Sequence, residues 1–166
     1  MKISLDWLNA YLDRPTTGDE VAEVLSRQGF PVETREPVAG GDEMLDVEVT
    51  SNRSDCLSHV GVARELAAGT GRKLQRPDHT LPPAGHEAVE DLTNVTNDAA
   101  DLCPYYSARV IKGVKVGPSP AWLVKHLEAI GQPSVNNVVD VTNYILHELG
   151  QPLHAFDTAR LAEGRI

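Results

Sequence analysis

Glycine and proline interrupt this chain so often that no long element can form. One apolar-periodic stretch after another is closed by Arg14-Pro15, Gly29, Gly40-Gly41, Gly69-Thr70-Gly71, Gly131 and Gly150. A glycine at such a point ends a helix in the left-handed conformation without a Cβ clash, and a proline cannot continue one. The segments left between these stops are a few turns or a few strand residues long. A helix that short is marginal by itself and must bury an apolar face against neighbours. The chain is therefore a mosaic of short packed elements, and 166 residues suffice for one ordinary domain or two small ones.

Local signals assign those elements. Ser4 is an N-cap for a helix over Leu5–Leu12, with Leu5, Leu8 and Leu12 on one face. Thr17 or Asp19 starts a second helix that runs to Gly29. "PVETREPV" and "MLDVEVT" read as strands on either side of Gly40-Gly41, forming a hairpin with one wet face. Ser54 or Asp55 caps a third helix, which ends at Gly69-Thr70-Gly71. The fold class is α+β: a helix-helix-hairpin-helix module over residues 1–73, a Pro/Gly-rich linker over 74–89, and a second unit over 90–166. In that second unit "YYSARVIKGVKVG" alternates like a strand. Ser119 and Pro120 open a helix whose buried side includes Trp122, Leu123, Leu127 and Ile130. Val138, Val141, Ile145 and Leu149 form the apolar stripe of another helix, closed by Gly150, and Asp157 caps a last short turn.

Composition excludes several functions. The net charge of −9 makes the chain a poor general electrostatic binder of nucleic acid, so any RNA contact is local or made with help from a partner, and no DNA partner is expected. Two isolated cysteines, Cys56 and Cys103, build no disulfide framework and suit a reducing cytoplasm. The N-terminal stretch carries Asp6 and Asp13 and is no signal peptide, and no run is long enough to span a membrane. His147, His154 and Asp157 lack zinc-motif spacing, so no metal site is expected. A serine-nucleophile elbow and a phosphate-cradling loop are likewise missing from the sequence.

One titratable group stands out. His154 follows the helix that Gly150 ends, in the stiff "GQPLHAFD" turn. A histidine there either caps the carbonyls of that helix or handles a proton near neutral pH. Thr142 and Asn143 are polar residues inside the apolar helix, either solvated, bonded back to the backbone, or lining a site.

Three stretches together carry a resemblance. "MKISLDWLNAYLDRPTTGDEVAEVLSRQGFPVE", "DVEVTSNRSDCLSHVGVARELAAGTGRKL" and "CPYYSARVIKGVKVGPSPAWL…IGQPSVNNVVDVTNYILHELGQPLHAFD" are similar, in order, to the start of phenylalanyl-tRNA synthetase β subunits. The resemblance implies a B1-like module over 1–73 and the beginning of a B3/B4 editing domain over 90–166. It implies that Thr142 and Asn143 bind substrate, and that His154 is the catalytic candidate, in a site that hydrolyses tyrosine wrongly attached to the phenylalanine tRNA. A hydrophobic pocket rejects an added hydroxyl poorly, so a second, hydrolytic site is useful. The implied partners are the synthetase α subunit and tRNA. ATP and magnesium belong to the whole enzyme, and no cofactor is expected in this segment. The sequence departs from the bacterial pattern at 34–45, where a short turn replaces an OB-fold tRNA-binding insert. The B3/B4 part is expected to be incomplete and the segment alone inactive. A free-standing deacylase and a non-catalytic adapter are the alternatives.

Overall fold

A computed structural model describes residues 1–83 and 85–166. Its class is α+β, with five α-helices and one three-stranded antiparallel sheet among the described residues. They divide into two compact units, one of residues 1–78 with 117–153, the other of 79–116 with 154–166. This partition cuts the chain differently from the sequence-based division, because the fourth and fifth helices pack with the N-terminal residues.

In the first unit, β1 (Lys2–Ser4) leads directly into α1 (Leu5–Asn9). The Ser4 hydroxyl accepts from Trp7 N at 3.0 Å, as the sequence predicts, and donates to Asp42 at 2.6 Å. β1 itself is too short to show in the sequence. Helix α2 (Gly18–Arg27) is capped by Thr17, whose side chain accepts from Glu20 N. β2 (Val32–Pro37) and β3 (Glu43–Val47) flank the glycine turn, and the strand order β1-β3-β2 puts β3 in the centre. The expected two-stranded hairpin is thus extended by β1, with Ile3 opposite Leu45. That central place explains why Met44, Leu45 and Val47 are all buried. The outer strand β2 is mostly exposed, and Arg35 joins it to Glu43 and Asp19, which suits an edge that must not pair with other chains.

Helix α3 (His59–Thr70) starts later than the sequence predicts. Ser54 and Asp55 lie in a single 3₁₀ turn instead, and the cap is Ser58, whose hydroxyl accepts from Gly61 N at 3.0 Å. Helix α4 (Ala121–Ala129) is preceded by Pro120 rather than capped by Ser119, whose hydroxyl turns to Asp140. Leu123, Leu127 and Ile130 are buried as expected, but Trp122 is 55% exposed. Helix α5 (Asn137–Leu149) is capped by Asn136, which accepts from the backbone N–H groups of Val138 and Val139. The core is built around Ile3, Trp7, Leu8, Val21, Leu25, Leu45, Val62 and Leu66, among others. Burial of such side chains supplies the main driving force for folding.

The second unit has little regular structure. Thr96 N donates to Ile166 O at 2.8 Å and Ile166 N to Asn94 O at 3.0 Å, which ties its two segments together. Residues 104–116 form no strand, contrary to the sequence reading, and Tyr105, Ile111, Val114 and Val116 are exposed. Alternation prepares a face for a sheet, but a strand exists only when a neighbour pairs with it. Asp157 does cap the short turn over Thr158–Arg160, accepting from Ala159 N at 3.0 Å.

Candidate functional site

Helix α5 carries two of the three candidate residues, and its most buried side is not the expected apolar stripe, of which Val138 and Ile145 are only half-buried. The α5 side chains that are buried are Asp140 and Glu148. Val141 and Leu149, two members of the expected inward stripe, are about half exposed at 49% and 48%. The inward face is instead Asp140, Tyr144, His147 and Glu148, at the i, i+4, i+7, i+8 spacing of one helix side.

Each inward group has partners. Asp140 accepts from Ser134 Oγ at 2.6 Å, from Val135 N at 2.8 Å, and from Ser119. Burial alone would raise its pKa, but these donors outweigh it and hold the carboxylate below its usual range. Glu148 accepts from the Tyr11 hydroxyl at 2.6 Å, and Trp7 Nε1 donates to the same hydroxyl at 2.8 Å. Burial, then the bond to Glu148, raises the Tyr11 phenol. The Trp7 ring is sandwiched between His59 at 3.9 Å and Tyr144 at 4.5 Å, nearly parallel to both.

His59 lies at the end of this stack. Ser4 N donates to its Nε2 at 3.1 Å, and its Nδ1 lies 2.9 Å from the His147 carbonyl. A carbonyl can only accept, so Nδ1 carries the proton and the ring is neutral. Burial pushes its pKa down to about 3. The sequence offers His154 as a cap for a carbonyl at the end of α5; the histidine that holds one there is His59. No local pattern could have revealed it, because the two groups are 88 residues apart.

The sequence-predicted residues fall in both units. Thr142 Oγ1 bonds back to Val139 O at 2.7 Å, and its side chain is half-buried. Asn143 is its neighbour, also half-buried. By helical spacing Thr142 faces outward with Ile145 and Leu149, while Asn143 lies at the border of the inward face. Gly150 ends α5 at φ +74°, and Gly150 N donates to Leu146 O at 2.8 Å. His154 belongs to the second unit, where its exposed ring lies 6.3 Å from Phe156.

Among the described residues, Asp55, Cys56 and Glu65 hold ligand atoms close enough to share an ion. Arginines occupy them already: Arg53 bonds Asp55 at 3.0 Å and Glu65 at 2.8 Å, and Arg64 reaches Asp55 too. Burial pushes the Cys56 thiol up to about 11. A protonated thiol beside paired carboxylates does not fit a metal. A groove of about 540 Å³ between the glycine turn and α4 is lined by Val38, Ala39, Val124 and Lys125 among others, and contains none of the candidate residues. No described helix is long and apolar enough to cross a membrane.

Comparison with known proteins gives these features a family. The B3/4 domain matches residues 102–166. A phenylalanine–tRNA ligase β subunit of Rhodopirellula baltica is 52% identical over all 166 residues, which amount to 24% of that protein. The β subunit of Syntrophotalea carbinolica is 60% identical over 127 residues, or 75% of this chain and 15% of its own length. That of Geobacter sulfurreducens is 50% identical over 125 residues. The chain thus spans about a quarter or less of the relatives it matches. Along its whole length, the sequence belongs with the β subunits of phenylalanine–tRNA ligases.

Proposed function

We propose that this chain works as part of an enzyme that attaches phenylalanine to its tRNA with ATP and magnesium in the cytoplasm, paired with an α subunit. Within it, residues 1–73 are a B1-like module and residues 90–166 the first part of a B3/B4-like editing domain. The observation that carries this reading is the 52% identity to such a subunit across the full chain. On this reading ATP and magnesium chemistry belongs to parts of the enzyme outside this segment.

The segment contributes to hydrolysis of tyrosine from mischarged tRNA. Water attacks the ester carbonyl carbon, the bond to the ribose oxygen breaks, and that oxygen leaves with a proton. Thr142 and Asn143 on α5 bind the substrate, and the exposed imidazole of His154 offers a group that can orient the ribose or take a proton from water. In the complete β subunit with its α partner, His154→Ala is expected to slow Tyr-tRNA hydrolysis by about 10²-fold, the usual size of a lost proton-transfer or orienting group. Phenylalanine attachment remains nearly unchanged, because it occurs at another site. Unchanged hydrolysis by a normally folded variant would sink the assignment.

A further inference from the structure

The inward face of α5 is held by residues far from it in sequence, and those contacts concentrate on its C-terminal half. Tyr11 reaches Glu148, Trp7 stacks on Tyr144, and Nδ1 of His59 donates to the His147 carbonyl. The end of the helix abuts the same region: a Cβ on Gly150 would lie 3.2 Å from the Leu57 carbonyl oxygen. The turn Cys56-Leu57-Ser58-His59, inside "TSNRSDCLSH", is therefore a socket for the end of α5. Thr142 lies on the opposite, outward face, and Asn143 one turn before His147. Side chains on a helix move with its backbone, so whatever sets the rotation and height of α5 also sets these two residues.

We propose that His59 is a positioning residue for the hydrolytic site: by capping α5 it fixes where Thr142 and Asn143 sit, without touching substrate. Through it the N-terminal module takes part in hydrolysis. The proposal rests on the editing role given above to Thr142 and Asn143. The ring has no proton chemistry of its own to offer, since Ser4 N–H and the His147 carbonyl occupy its two nitrogens. Its contribution is geometric, and small displacements at a reacting centre are costly to rate.

Two substitutions separate this role from mere stability. An asparagine amide nitrogen takes the place of Nδ1, so His59→Asn keeps the bond to the His147 carbonyl and loses the one from Ser4. A glutamine amide oxygen takes the place of Nε2, so His59→Gln keeps the Ser4 bond and loses the grip on α5. Both lose the stack on Trp7, so their melting temperatures are expected to fall together. Amide exchange over Ile145–Gly150 in the 166-residue chain is expected to be faster in His59→Gln than in His59→Asn. In the complete β subunit with its α partner, kcat for Tyr-tRNA hydrolysis is expected to be about tenfold lower in His59→Gln than in His59→Asn, with KM within about twofold and phenylalanine attachment equal in both. Equal exchange in the two variants overturns the clamp. Different exchange with equal kcat overturns the positioning role. Absence of hydrolysis in the unsubstituted enzyme overturns the editing reading itself, and with it this role of His59, while the exchange comparison still reports separately on the clamp.

Discussion

At the scale of single residues, His59 couples packing to pH. It stays neutral in the fold with its pKa near 3, whereas in the unfolded chain it binds a proton below its ordinary value of about 6.5. The stabilisation from keeping it neutral is complete above about pH 6.5 and declines as the pH falls toward 3. The slope is about 1.4 kcal/mol per pH unit for one such group. Burial also lowers His126 and His147, which act in the same direction. Urea unfolding of the 166-residue chain between pH 7 and pH 5 should show this decline, and it should be shallower in His59→Gln. A flat profile would mean that the buried ring accepts its proton without cost. The local sequence pattern points to a different histidine for this role. A stiff turn after a helix is a local signal and drew attention to His154. The cap comes from His59 because the third dimension brings α3 to the end of α5, and no spacing rule reads that.

At the scale of elements, α5 shows what periodicity can and cannot tell. Its Gly150 stop is legible from the sequence, its Asn136 cap is not. The existence of a stripe through Val138, Val141, Ile145 and Leu149 is legible too. The stripe's direction is not, because a helical period marks a face without naming what it meets. In this chain the core beneath α5 is already filled by Trp7 and its neighbours, and the helix approaches with acids that Tyr11, Ser119 and Ser134 satisfy. The energetic order of substitutions should follow. Val141→Ser and Leu149→Ser, each at a half-exposed position, are expected to change stability by no more than about 0.5 kcal/mol. Asp140→Ala strands two hydroxyls and a backbone N–H around a fully buried site and is expected to cost about 1–3 kcal/mol. Denaturant titration of the three variants tests this. If Leu149→Ser is the most destabilising, the stripe faces inward after all. The same limit applies to residues 104–116, where the alternation suits a strand but a local pattern carries no pairing partner. Thr142, Asn143 and His154 became candidates together through family resemblance; their residue types alone were equally compatible with a solvated face.

For the molecule as a whole, the division into two units sets where opening starts. The first unit holds the sheet, all five helices and the continuous core around Trp7. The second keeps Leu102 at 84% and Tyr105 at 82% exposure and is tied by a few backbone bonds. Local opening free energy follows buried apolar contact. Hydrogen exchange on the 166-residue chain is therefore expected to be slowest in α1, β3 and α3, and faster by about tenfold or more over 79–116. Comparable protection in α3 and in 104–116 would show that the second unit is stabilised by more than these contacts. The chain's two tryptophans make this architecture visible to light. Trp7 is sealed at 0% exposure among three stacked rings, those of His59, His126 and Tyr144, whereas Trp122 stands at 55% exposure on α4. Emission from the chain is therefore expected to combine a blue component shielded from iodide and a red one open to it. Both rings meet Tyr144 of α5, Trp7 face-on at 4.5 Å and Trp122 edge-on at 5.4 Å, so a change in the seat of α5 reaches a shielded emitter and an open one at once.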